Sequence, residues 1–441
     1  MNAEVLCIGT EVLIGDIVNT NAAYLGKRLS EAGFNVYYHM VCGDNPARMT
    51  ECMRLALSRS DLVFITGGLG PTYDDITKEV AAKLFGLPLV EHAEILERLQ
   101  AYFASRGRVM TDNNRKQALI PLGAHLFENR FGTADGLAVT DGKKTLVLMP
   151  GPPREMRPML DNEVLPYLAA KNDHVLVSSN INIFGMGESA VDSALADLMK
   201  TSENPTVAPY IGEGEVRLRV SARAENTQKA RELIAPTVEK IRAALGSAVY
   251  GVDVPSLESV LVEKLKAAHK TVTFAESCTG GLLAKRMTDV PGASEVFGFG
   301  FVTYWEQAKA KMVGVEPAVI AKYNVVSAPV AAQMALGAAE AAGADIAVSV
   351  TGLAGPNGGD AVRPVGTVYL GAACGETVYV KKLFVSRPDR ALVRARAAQA
   401  ALELALRLAQ GKVPADTQAL AKSARYDAAA LTALDSTFLK G

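Results

Sequence analysis

The sequence predicts an α/β protein in which two α/β domains flank a small α+β module. Three observations carry this expectation. Over roughly the first 165 residues, short apolar runs alternate with amphipathic stretches, as in a parallel sheet with helices on both faces. From His174 to Gly251 the order becomes strand, helix, two strands and a second helix, and Glu215-Val216-Arg217-Leu218-Arg219-Val220 alternates strictly at period 2. After Pro255, strands again alternate with Ala-rich helices.

In chain order, residues 4–8 read as a strand, 21–32 as a helix, 35–41 as a strand, 46–58 as a helix and 61–65 as a buried strand. Ligands of such sheets bind at the carboxyl ends of the strands, so the loops after residues 8, 41 and 65 matter most. In the third region 257–268 reads as an amphipathic helix and 271–274 as a strand; further strands fall at 346–350 and 365–371, and a last helix spans 389–408. The resulting domains are 1–170, 171–252 and 253–412, with 413–441 as an appended tail of weak periodicity.

The 441 residues suffice for several cores, and 49% hydrophobic against 21% charged residues is ordinary globular composition. A formal net charge of −1 gives no nonspecific attraction to nucleic acid or to an anionic membrane. The N-terminus has no basic signal region and no segment supplies about eighteen apolar residues in a row, so a cytoplasmic location is expected. Five scattered cysteines without a C-x-x-C pair support neither a disulfide framework nor a zinc site.

The stretch Ala275-Glu276-Ser277-Cys278-Thr279-Gly280-Gly281 stands where an apolar strand gives way to a helix. Free N–H groups collect at such a turn, where they hold an oxyanion and favour an ionised nucleophile. A serine nucleophile usually takes its proton acceptor from histidine, but all five histidines precede the motif. The base for Ser277 is then Tyr304 or Lys309, since a desolvated lysine loses its proton near neutral pH. Two other readings stay open: Ser277 and Thr279 as simple helix caps, and Cys278 as the nucleophile. Thr351-Gly352-Leu353-Ala354-Gly355 follows a second strand and lets backbone approach a phosphate or ribose closely. Arg390 and Arg394, one helical turn apart, are candidate cationic contacts to the same phosphate.

In the N-terminal half, Thr66-Gly67-Gly68-Leu69-Gly70-Pro71-Thr72-Tyr73-Asp74-Asp75 also follows a strand. Its glycines and hydroxyls suit a phosphate, whereas its aspartates repel one unless a cation intervenes. Asp44, in the loop after another strand, strengthens the case for a divalent metal carrying a phosphorylated ligand. Glu11 is a candidate base. An acidic helix cap on a glycine loop is the competing reading.

Together these motifs resemble the CinA family of competence/damage-inducible proteins. In the C-terminal region the resemblance rests on the Ala275–Gly281 motif, Val302-Thr303-Tyr304 with Ala308-Lys309, Ala328-Pro329-Val330 and Thr351-Gly352-Leu353-Ala354-Gly355-Pro356. It implies a metal-free deamidase that hydrolyses nicotinamide mononucleotide to nicotinate mononucleotide and ammonia. Ser277 would attack, Tyr304 and Lys309 would assist proton transfer, and Thr279, Gly280 and Gly281 would supply oxyanion contacts. Gly9-Thr10-Glu11, Asn19-Thr20-Asn21, Gly43-Asp44-Asn45, Gly67–Asp75 and Met149-Pro150-Gly151-Pro152-Pro153 resemble the family's molybdopterin-binding-like, three-layer α/β N-terminal domain. That likeness implies ADP-ribose hydrolysis to AMP and ribose 5-phosphate with Mg, Mn or Co. Asp44 and Asp75 match its acidic metal positions, and Glu11, Asn21, Gly68, Gly70, Thr72 and Asp74 are placed at the diphosphate.

The middle segment resembles the family's KH-like domain. Residues 175–250 carry eight Lys/Arg against nine Asp/Glu and no paired aromatics, so a structural or dimer-forming role is expected rather than RNA binding. The resemblance implies a homodimer acting on small nucleotides, without nucleic-acid or membrane partners. The alternatives are a deamidase with a non-catalytic N-terminal half and a non-enzymatic pterin-binding or competence-related partner protein.

Overall fold

The computed structural model describes residues 1–169, 174–211, 215–386 and 389–439. The expected boundary at 170/171 lies outside the described residues. The chain forms two compact units, Met1–Ser178 with Ser221–Pro236 and Ser179–Val220 with Thr237–Gly441, so the middle segment is divided between them.

The strands of the first α/β region are β1 (Asn2–Ile8), β2 (Asn35–Cys42), β3 (Leu62–Thr66), β4 (Leu89–Glu91), β5 (Leu119–Pro121), β6 (His125–Phe127), β7 (Gly136–Thr140) and β8 (Thr145–Met149). Six form one sheet in the order β2-β1-β3-β8-β7-β6, while β4 and β5 pair separately. The strands β2, β1, β3 and β8 are parallel, the first three at the predicted positions; β8 was not predicted, nor was the antiparallel edge formed by β7 and β6. Alternation explains why both faces are covered. Val5, Cys7, Leu62 and Phe64 pack into one core, and Leu6, Ile8, Val63 and Ile65 into the other.

The middle segment contributes β9 (Val175–Ile183), β10 (Thr206–Ile211), β11 (Val216–Ala224) and β12 (Val249–Val252), in the order β10-β11-β9-β12. The short strand β12 follows the second helix and was not predicted.

The third sheet contains β13 (Val272–Glu276), β14 (Gly300–Val302), β15 (Ile346–Gly352), β16 (Thr367–Cys374), β17 (Thr377–Phe384) and β18 (Gln418–Ala421), in the order β14-β13-β15-β16-β17-β18. Strand β13 runs parallel to β14 and β15, and the remaining pairs are antiparallel. Val348 and Val350 face a core shared with the helices Leu257–Ala268 and Arg390–Ala409, while Ala347 faces the helix Ala328–Ala342.

The tail is integral to this fold rather than appended to it. It supplies the edge strand β18, and Leu420, Leu431 and Leu434 enter the second core. Arg425 is buried, donating to Glu340 at 2.6 Å and to the carbonyls of Val313 and Gly314. Among the described residues, no helix is long and apolar enough to cross a membrane.

Candidate functional site

Strand β13 continues two residues beyond the prediction and delivers Ser277 at its end, where the Ser277 N–H donates to Val350 O at 3.0 Å. The extension buries the side chain of Glu276, whose carboxylate accepts from the N–H groups of Gly281 at 2.9 Å, Leu283 at 3.0 Å and Ala284 at 2.9 Å. The helix Leu282–Thr288 is therefore capped by a carboxylate from the strand. This corrects two expectations. Ser277 and Thr279 do not cap the helix; Gly281 stands at the N-cap, with a left-handed φ of 92° that suits glycine. The N–H groups of Gly280 and Gly281 are not free for an oxyanion, because Gly280 donates to Ser277 O and Gly281 to Glu276. The N–H groups of Cys278 and Thr279 donate to no other described residue, although the Cys278 N–H faces its own thiol.

The helix Glu306–Val313 turns Lys309 inward, where it is fully buried. Its Nζ stands 3.0 Å from Ser277 Oγ and donates to the carbonyls of Thr303 at 2.7 Å and Tyr304 at 3.4 Å. No carboxylate pairs with it among the described residues. Burial without a counter-ion pushes its pKa down to about 8. A neutral amine placed this way gives its N–H groups to carbonyls and presents its lone pair to the serine hydroxyl. Cys278 is also buried, and burial pushes its thiol up to about 11, so it is neutral near pH 7.

The remaining C-terminal candidates divide. A cavity of about 510 Å³ is lined by Ser277, Cys278, Tyr304, Lys309, Thr351, Gly352 and Arg390 among others. Tyr304 is half exposed, and its hydroxyl accepts from Arg390 Nη2 at 3.1 Å; it makes no hydrogen bond to Ser277. Arg390 also donates to Gly355 O at 2.7 Å, which uses the Gly355 carbonyl structurally. Arg394 does not line the cavity: it donates to Cys278 O at 3.1 Å and Thr279 O at 2.8 Å, bracing the turn instead of sharing a phosphate with Arg390. The Thr351 hydroxyl is spent on Val325 O at 2.8 Å. Gly352 is required by packing, since a Cβ there would lie 2.7 Å from the Val368 side chain.

In the N-terminal region the carboxyl ends of β1, β2, β3 and β8 open on a cavity of about 570 Å³. Glu11, Asn21, Asp44, Gly68, Gly70, Thr72, Asp74 and Asp75 all line it. Asp44 Oδ2 accepts from the N–H and hydroxyl of Thr10, both at 2.9 Å. Asp75 Oδ2 accepts from the Thr72 N–H at 2.9 Å and from the Thr72 hydroxyl. In each carboxylate Oδ1 has no hydrogen-bond partner among the described residues. No group of three or more His, Cys, Asp or Glu that could cage a metal occurs among them. Two carboxylates facing one cavity suit a divalent ion that arrives with phosphate oxygens and completes its shell with them.

Two expectations about phosphate contacts, those for Thr72 and Asn21, are corrected here. Thr72 gives both its donors to Asp75 and keeps none for an anion. Asn21 gives its Nδ2 to Thr66 Oγ1 at 3.1 Å and Gly151 O at 2.7 Å, so what it has left is an acceptor, which repels phosphate. Gly68 lines the cavity with an N–H that donates to no described residue, and only glycine fits there: its φ is +68° and a Cβ would lie 2.1 Å from Thr77 Oγ1. Sequence reasoning missed Lys116, whose Nζ donates to Asp75 O at 2.7 Å and to Thr72 O. It also missed Gln117, Thr303 and Glu276; only Glu276 left a signal, as an acid just ahead of a helix start.

Comparison with known proteins accords with this layout. Residues 4–170 match the model of a probable molybdopterin binding domain, 178–251 that of the damage-inducible protein CinA KH domain, and 254–409 that of the CinA C-terminal domain. A CinA-like protein of Kosmotoga olearia is 46% identical over 407 residues, covering 92% of this chain and 98% of the relative. A putative competence-damage inducible protein of Thermoanaerobacter pseudethanolicus is 44% identical over 411 residues, covering 93% and 99%. A CinA-like protein of Dictyoglomus thermophilum is 45% identical over 394 residues, covering 89% and 96%. With all three domain models matched in the expected order, this chain belongs to the CinA family.

Proposed function

We propose that the C-terminal domain deamidates nicotinamide mononucleotide. The observation that carries this is the buried, unpaired Lys309 amine 3.0 Å from Ser277 Oγ in a cavity that also presents Arg390. Lys309 takes the hydroxyl proton as Ser277 Oγ attacks the carboxamide carbon. The carbonyl π pair moves to oxygen, which the N–H groups of Cys278 and Thr279 receive. Lys309 then returns the proton to the departing nitrogen, the C–N bond breaks and ammonia leaves. Water, deprotonated by the same amine, attacks the acyl-serine, and the proton goes back to Ser277 as nicotinate departs. Tyr304 and Arg390 act on the nucleotide at the cavity mouth rather than on the proton. Ammonia release is the test: Ser277→Ala should abolish it and Cys278→Ala should keep it, and the opposite pattern would transfer the nucleophile to Cys278.

A second activity is favoured by Asp44 and Asp75 facing one cavity, each with an uncommitted oxygen. We propose metal-dependent cleavage of ADP-ribose to AMP and ribose 5-phosphate there. A divalent ion, when bound, neutralises diphosphate charge and lowers the pKa of water. Asp44 and Asp75 would hold it, Thr10 and Thr72 fix the rotamers of those carboxylates, and Lys116 braces the 70–75 loop through its carbonyls. Glu11 lines the same cavity and is the candidate base. AMP release that persists in Asp44→Asn/Asp75→Asn would remove this reading, and a homodimer acting in the cytoplasm remains part of the proposal.

A further inference from the structure

Placing a carboxamide carbon against Ser277 Oγ decides where the rest of a nicotinamide ring must go. The ring nitrogen is separated from that carbon by two ring atoms, and its bond to ribose gives it a full positive charge. That charge has to be accommodated among the residues lining the Ser277 cavity. Two of them are basic, Arg390 and Lys309, and both disfavour a cation. Glu306 is the one carboxylate among the described residues that line it.

Glu306 is exposed and makes no hydrogen bond or salt bridge to a described residue. Its charge nevertheless reaches the reaction centre: it raises the Lys309 pKa against the downward pull of burial, and Lys309 Nζ stands 3.0 Å from Ser277 Oγ. Beside it Trp305, 72% exposed, lines the same cavity, and its ring meets no other aromatic ring or cation among the described residues. A bare indole face next to an unpaired carboxylate suits an organic cation, because the ring quadrupole and the anion attract the same charge. Glu306 also opens the helix Glu306–Val313, where an acid favours the helix dipole. That helix-end role is indifferent to the charge of a ligand, so ligand charge separates the two roles.

We infer that Trp305 and Glu306 are specificity-determining residues that read the positive charge of the substrate ring, so that the cavity takes N-ribosylated pyridinium carboxamides in preference to neutral aromatic carboxamides of the same shape. The inference rests on reading the C-terminal cavity as the nicotinamide mononucleotide deamidase. Trp305 supplies an aromatic face and Glu306 the counter-charge that offsets Arg390 and Lys309, while the ribose and phosphate are left to Tyr304 and Arg390. Both residues act by recognition. Loss of the Glu306 charge therefore changes the ratio between a charged and a neutral ring more than the affinity for the ribose phosphate they share.

Trp305 is the single tryptophan of the chain, so its fluorescence reports binding at this cavity. The full chain carrying Ser277→Ala, which removes turnover, is titrated with nicotinamide mononucleotide and with the C-nucleotide in which a neutral carbamoylphenyl ring replaces the pyridinium. The pyridinium compound should bind about 10-fold or more tightly. Adding Glu306→Gln, which keeps the length and removes the charge, should bring the ratio to within about threefold, with its thermal melt recorded alongside. Equal affinities in Ser277→Ala, an unchanged ratio after Glu306→Gln, no binding of either compound, or binding heat without a fluorescence change would overturn the inference. Ammonia release by the wild type reads the deamidase separately. Release together with equal affinities would leave the deamidase and remove Trp305 and Glu306 as its charge readers, whereas discrimination in binding without ammonia release would do the reverse.

Discussion

Replacing Lys309 by Met removes the proposed base and a buried cation together, and the two losses have different pH signatures. Burial takes the Lys309 amine from its ordinary 10.5 to about 8. At pH 7 the neutral fraction is then about 9%, against about 0.03% for an ordinary lysine, a gain of about 300-fold in competent base. The logarithm of kcat/KM for ammonia release should therefore climb with unit slope and level off near pH 8. Lys309→Met should lower it by about a hundred- to ten-thousand-fold across the whole range. Stability carries an independent signature. The folded chain releases this proton near pH 8 and the unfolded chain only near 10.5, so between those values the unfolded state binds more protons and stability rises with pH. A pKa difference of about 2.5 corresponds to about 3 kcal/mol over that window. Below pH 8 both states are protonated and this contribution is flat. The unfolding free energy of wild type relative to Lys309→Met, from urea titrations at pH 7 and pH 10, should therefore rise by about 3 kcal/mol at the higher pH. A flat kcat/KM profile from pH 6.5 to 9, or a variant retaining a tenth of wild-type activity, would refute the reasoning.

Three further outcomes follow from the same geometry. Cys278→Ala should keep ammonia release within a few-fold, and iodoacetamide at pH 7 should leave wild-type activity intact, because the buried thiol ionises only near pH 11; stoichiometric inactivation would contradict this. Glu276→Gln replaces one carboxylate oxygen by a donor facing N–H groups, and should destabilise the C-terminal domain by about 1–3 kcal/mol in thermal melts. Removing residues 413–441 deletes β18, three buried leucines and the Arg425–Glu340 pair, so the truncated chain should lose cooperative unfolding of its C-terminal domain by calorimetry.

The strand-to-helix position of Ser277 was legible because apolar β-formers end and small residues begin there, and the choice of Lys309 or Tyr304 followed from the absence of histidine beyond His269. What separated Lys309 from Tyr304 was burial, which depends on the helix Glu306–Val313 packing against the end of β13. The parallel sheet was readable in runs such as Val5–Ile8, but β6 and β18 are too short to carry a periodic signal and owe their place to their neighbours. The amide orientation of Asn21 was beyond local reading altogether, being set by Gly151, 130 positions away. The role of Glu276 was hidden by a two-residue error in the strand boundary.

That error reverses the electrostatic account of the turn. A bare helix N-terminus beside Ser277 would attract an anion and compete for the substrate phosphate. With the Glu276 carboxylate across Gly281, Leu283 and Ala284, that positive end is already neutralised. Arg394 balances the opposite side of the turn through the carbonyls of Cys278 and Thr279, which leaves the N–H groups of those two residues as its open donors. The same arrangement keeps Lys309 reactive. Its hydrogen-bonding neighbours are two carbonyls and a hydroxyl, all neutral, and together with the unbonded Glu306 they offset only part of the cost of burying an ammonium. Had the Glu276 carboxylate faced Lys309 instead of the helix, the pair would hold the amine protonated and the serine would have no base. Spending the carboxylate on the helix therefore stabilises the turn and frees the lysine in a single contact set.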